Sequence, residues 1–75
     1  MTTLKETVAG MIESYITTLE GQPAQNLYNI VIKEVELGLF KTVLKHMGGN
    51  QSKAAEWLGL ARGTLRKRLS EYNLE

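Results

Sequence analysis

Apolar residues recur at helical rather than strand spacing along the whole chain. Leu4, Val8, Met11, Ile12, Tyr15, Ile16 and Leu19 share one side of a helix, and Thr3 with Glu6 can form a capping box, so the spacing predicts helix one over about residues 4 to 20. Gly21 suits its C-terminal cap, and Pro23 suits the first turn of the next helix. Helix two is predicted from about residue 24 to 47, which makes it roughly 33 to 36 Å long. Leu27, Val31, Val35, Leu39, Val43 and Met47 run down one side of it, while Tyr28, Ile30, Ile32, Leu37, Phe40 and Leu44 cover much of the rest. A helix apolar over more than half its circumference needs burial on several sides. Gly38, at a cost of about 1 kcal/mol relative to Ala, marks close packing or a bend.

Gly48-Gly49-Asn50 ends helix two, with Asn50 as the cap of helix three over Gln51 to Leu58. Gly59-Leu60-Ala61 is a turn, and helix four runs from Arg62 to about Tyr72. Two helices crossing steeply through so short a turn need small residues where they touch, a residue tolerant of positive φ, and an apolar wedge. Ala54, Ala55, Gly59 and Leu65 meet those needs, and Leu58, Leu60 and Leu69 complete the seam of a helix-turn-helix. The chain is therefore expected to be all-α: four helices, an N-terminal pair over 1–47 forming an intertwined dimer core, and a helix-turn-helix over 50–75.

Advancing about 100° per residue turns Leu65, Leu69 and Tyr72 inward on helix four and leaves Gly63, Lys67 and Ser70 outward. Arg62 and Arg66 flank one edge, Thr64 and Arg68 the other. Arg62 to Arg68 holds four cations and no acid in seven residues, which suits a helix laid in the DNA major groove. Arg62 is the candidate for bidentate contact to guanine, and Gly63 offers no side chain to hold the helix away. Asn50 and Ser52 open helix three, whose backbone amides should point at a phosphate.

Charge sharpens this picture. Net charge is only +1, yet residues 1 to 40 carry two Lys against five Glu, whereas 41 to 68 carry seven Lys or Arg against Glu56 alone. That asymmetry suits a polyanion-binding face joined to an acidic remainder. A chain of 75 residues buries only about 60% of its unfolded surface. With no cysteine to form disulfides, oligomerisation is the remaining support. A second subunit filling the sides of helix two makes Leu27, Ile30, Val31, Val35, Leu39 and Val43 the expected dimer core, joined by Tyr15 and Tyr28. Met11, Met47 and Trp57 read as packing, with Trp57 partly buried between helix three and the core. His46, the lone histidine, suits the helix dipole near the end of helix two; without Asp or Cys it builds neither a triad nor a metal site, so no enzyme, cofactor or metal is expected. No membrane span or secretion signal is present in the sequence, which implies an intracellular protein.

Gly49-Asn50-Gln51, Ala54-Ala55, Gly59 and Arg62-Gly63-Thr64-Leu65-Arg66-Lys67 resemble the Fis family, the factors for inversion stimulation, as do Gly21-Gln22, Leu27-Tyr28 and Glu34-Val35-Glu36. The resemblance covers nearly the whole chain. It implies a homodimeric, nucleoid-associated bacterial protein of the cytoplasm that bends double-stranded DNA at degenerate palindromic sites and regulates transcription. Carried over by position, Arg62 and Lys67 correspond to base contacts, and Asn50, Ser52, Thr64, Arg66 and Arg68 to backbone contacts. RNA polymerase enters as a partner through the turn at Gly48 to Gln51. Paired recognition helices set closer than one turn of straight B-DNA imply a bent duplex and specificity drawn partly from deformability. The chain departs from the better-known enterobacterial member in several places. It starts after that member's N-terminal arm, which weakens any expectation of recombination stimulation. Gly38 replaces a proline, Gly48 an arginine, Ser70 and Glu71 lysines, and Ala61 a capping asparagine.

Two other readings accompany this one. The C-terminal DNA-binding module of a sigma-54-dependent activator is similar in sequence, although Met1 and the absence of a linker favour a complete chain. The other is a helical dimerisation module whose cations serve an acidic protein partner.

Overall fold

Local capping chemistry decides where most of the helices begin and end. The computed structural model describes residues 1–74, which form α1 (Leu4–Thr18), α2 (Leu27–His46), α3 (Gln51–Leu58) and α4 (Arg62–Glu71), with no strand among the described residues. The Thr3 hydroxyl oxygen accepts from the Glu6 amide at 3.1 Å and donates to the Glu6 carboxylate at 3.2 Å, so the box closes side chain to side chain. Helix α1 stops two residues earlier than its spacing suggested, because Glu20 and Gly21 both turn left-handed at φ 52° and 85°. Helix α2 starts three residues later than expected. Pro23 stays in the connection, and the chain turns at Asn26, which sits at φ 55° with no capping bond from its side chain. Proline fixes only its own φ, whereas asparagine tolerates the left-handed region that redirects the chain.

Helix α2 does two jobs in sequence. Its N-terminal part faces α1 across an apolar groove of about 520 Å³ lined by residues such as Val8, Met11, Ile30 and Val31. Its C-terminal part carries the helix-turn-helix: Phe40 is 1% exposed, and Val43, Leu44 and Met47 pack around it. Gly38 lies where one job passes to the other, and α2 runs unbroken through it. A Cβ added there would meet nothing within 4 Å, so no close packing inside one chain explains it.

The last three helices end in the same way. The amides of Gly49, Leu60 and Leu74 bond back to the carbonyls of Leu44, Ala55 and Leu69 at 2.9, 3.0 and 2.8 Å. Just before each lies a left-handed residue, namely Gly48, Gly59 or Asn73. These are Schellman closures, which satisfy carbonyls that a helix end would otherwise leave bare. Between them, Ala54, Ala55, Leu65 and Leu69 are buried against Phe40, with Leu58, Leu60, Tyr72 and Leu74 packed around them. The expected helix-turn-helix seam is thus present, and Phe40 is its unanticipated centre.

The first half is finished less completely. Ile30, Val35 and Leu39 are 43 to 48% exposed, and Tyr28 reaches 75%. Val43, one of the six residues expected in a dimer core, packs on the helix-turn-helix within the chain. The radius of gyration is 15.0 Å, against about 11 Å for a compact chain of this length.

Candidate nucleic-acid interface

Helix α4 presents its cations as the spacing requires. Leu65 and Leu69 are fully buried and Tyr72 is half-buried, while Arg62, Gly63, Thr64, Arg66, Lys67 and Ser70 are exposed. None of the exposed cations on this helix forms an ion pair among the described residues. Asn50, capping α3, accepts from the Lys53 amide at 3.0 Å through its side chain, and Ser52 lies exposed in the first turn beside it. The two helices meet through Gly59, held at φ 74°, a value few residues other than glycine adopt.

Helix α4 starts with less help. Ala61 holds the extended conformation of a cap residue, at φ −64° and ψ 142°, but its methyl cannot accept from the helix. Replacing Ala61 with Ser should therefore stabilise the chain by about 1 kcal/mol. Urea unfolding of the two proteins side by side checks this; an unchanged midpoint would mean that water already serves those amides.

Arg68 stands apart from the other cations. Its guanidinium donates to one oxygen of Glu36 at 2.5 Å, and the Tyr72 hydroxyl donates to the other at 2.5 Å. This is the only ion pair among the described residues, and it joins α4 to α2. Burial works against the Glu36 charge, but the bonds from Tyr72 and Arg68, with the nearby positive charge, prevail and hold the carboxyl below its ordinary range. The bond to Glu36 likewise raises the Arg68 guanidinium and, helped by burial, the Tyr72 phenol.

A carboxyl whose folded value is depressed stabilises the fold above its unfolded value, and that stabilisation is lost as pH falls through the folded value. The melting temperature of the parent chain should therefore exceed that of Glu36→Gln near neutral pH. The gap should close as pH falls below the ordinary value of 4.5. A gap that persists unchanged into acid would remove the ion pair from the explanation.

Arg62, Thr64, Arg66 and Lys67 lie exposed on α4, and Asn50 and Ser52 at the start of α3. The structure adds Glu36, to which the sequence reading gives no part in the interface. Glu36 lies one turn before Phe40 on α2, a spacing that could have flagged it. Trp57 departs from its expected place: it is 74% exposed, because Ala54, Ala55 and Leu58 already fill the inner side of α3. His46 is exposed in the last turn of α2. No described helix is long and apolar enough to cross a membrane.

Comparison with known proteins meets this geometry at the same residues. The model of the bacterial regulatory protein family named Fis matches residues 31–72, from the middle of α2 to the end of α4. A protein of Pseudomonas aeruginosa described as Fis-like and DNA-binding is 51% identical over 72 residues, covering 96% of this chain and 69% of its own length. One of Xylella fastidiosa with the same description is 49% identical over 71 residues, covering 95% and 79%. The DNA-binding protein Fis of Aliivibrio fischeri is 41% identical over 71 residues, covering 95% and 72%.

Proposed function

We propose, from the premise that this chain belongs to the Fis family of bacterial regulatory proteins, that it binds double-stranded DNA as a homodimer and bends it. It does so as a nucleoid-associated regulator of transcription in the bacterial cytoplasm. The observation that carries this reading is the outer side of α4, where Arg62, Arg66 and Lys67 stand exposed and unpaired among the described residues. Cations left free on a helix have little use in folding and much in a groove lined by phosphates. Arg62, at the N-terminus of α4, reads guanine, and Lys67 reaches a base edge one and a half turns on. Asn50, Ser52, Thr64 and Arg66 meet the backbone and set the register.

The second subunit is supported by surface area. One chain exposes 6116 Å², whereas a compact monomer of 8.4 kDa would expose about 4,600 Å². The excess of roughly 1,500 Å² is nearly twice what each partner contributes to an ordinary stable interface. On α1 and α2, Met11, Ile30, Val35 and Leu39 remain uncovered. A second copy supplies the matching apolar face, and its twofold axis sets the distance between the two α4 helices. A duplex that must reach both at once then bends, and its deformability contributes to site choice. The turn from Gly48 to Gln51, exposed at three of its four residues, is the surface offered to RNA polymerase. No catalysis and no cofactor enter this reading.

The test joins three measurements on the purified chain. Sedimentation should give a dimer, and a circularly permuted probe should migrate as bent. The logarithm of duplex affinity should fall steeply with that of salt, by about 0.9 for each phosphate that a Lys or Arg neutralises. A monomer at binding concentrations, or a slope near zero, overturns the proposal.

A further inference from the structure

Of the seven Lys and Arg side chains between residues 41 and 68, six form no ion pair among the described residues, and Arg68 is the exception. We propose that Glu36 is a positioning residue for DNA selectivity: it seats α4 on α2 through Tyr72 and Arg68 and keeps the Arg68 charge from the phosphates. Sequence-blind attraction is thereby lowered, and base contacts from Arg62 and Lys67 decide more of the affinity. The inference rests on the DNA-binding reading above, and it departs from the backbone contact that the family resemblance implies for Arg68.

Three observations support it. Arg68 and Tyr72 are one helical turn apart on α4, so both reach a single carboxylate, and each takes its own oxygen. Glu36 has a side chain only 17% exposed, set one turn from the buried Phe40 ring, so water and salt screen this bond less than a surface pair. These two bonds are also the only side-chain hydrogen bonds between separate helices among the described residues. A phosphate approaching Arg68 must therefore displace an ionised partner of equal sign to itself, already in place and already aligned.

Binding to a random-sequence duplex and to the preferred site, each followed across salt, tests this. Glu36→Gln keeps an oxygen for the Tyr72 hydroxyl and frees Arg68. Its salt slope on random duplex should steepen by about 0.9 per subunit. For a dimer that means a roughly tenfold greater loss of affinity across a roughly fourfold rise in salt, with a smaller ratio of specific to random binding. Adding Arg68→Gln should return the slope to that of the parent. Glu71→Gln makes the same change of charge, on α4, without breaking a bond to Arg68, and should not match the effect.

Arg68→Gln alone covers the case in which Glu36→Gln folds poorly: its slope should equal the parent's. The proposal is overturned if Glu36→Gln matches Glu71→Gln, if the double variant keeps the gain, or if Arg68→Gln alone flattens the slope. A parent chain with no duplex affinity would overturn the DNA reading as well. A parent with a steep slope that Glu36→Gln leaves unaltered overturns this inference alone.

Discussion

Phe40→Ala should cost about 3–5 kcal/mol of stability, the range for removing a buried aromatic ring. A chain this small has roughly 4–11 kcal/mol in total, so much of the molecule's margin goes with one side chain. The reason is positional. Phe40 is 1% exposed and is the only fully buried residue of α2, the place where that helix meets Ala54 and Ala55 of α3 and Leu65 and Leu69 of α4. Its ring also lies 6.4 Å from that of Tyr72, tilted by 32°, so the void would reach the residue that holds Glu36. Urea unfolding followed by circular dichroism gives the number, and duplex binding should fail in the same range of denaturant. A loss below about 1 kcal/mol would mean that the neighbouring leucines collapse into the space. The seat of the helix-turn-helix would then lie elsewhere.

Arg62→Ala should leave the fold and the dimer intact and reduce preference for the best site by about 1–3 kcal/mol, or roughly 5- to 150-fold. Arg62 is exposed, opens α4, and makes no side-chain hydrogen bond or ion pair among the described residues, so the folded chain loses no contact. Competition between matched and random duplexes at one salt concentration isolates the effect, because loss of a phosphate contact would weaken both alike. The same variant separates the DNA reading from a helical module that uses its cations on an acidic protein. In the latter case site preference would be absent from the start and the substitution could not reduce it.

What could be read from the chain and what could not follows the reach of the interactions concerned. Helix α3 starts and ends where expected because Asn50 and Gly59 act on amides and carbonyls within a few residues, and α4 also starts where expected, at Arg62. The start of α2 lies beyond its expected place because Pro23 permits a helix without requiring one, and the turn falls to Asn26. Phe40 lay off the stripe from Leu27 to Met47, and only the crossing of α3 and α4 over the end of α2 draws it inside. Trp57 was expected inside on account of its size, but the alanines beside it had already closed that side of α3. Glu36 and Arg68 each suit the outer side of a helix when read alone. Their 32-residue separation hides the pairing from any periodicity.

The three Schellman closures have a further consequence. Every joint of the DNA-reading unit is latched by main-chain atoms, so the identities of the outward side chains are free of the scaffold. Arg62, Gly63, Arg66, Lys67 and Ser70 can in principle be rewritten to address a new operator without retooling the frame. Arg68 is the one letter of that text which is also a fastener.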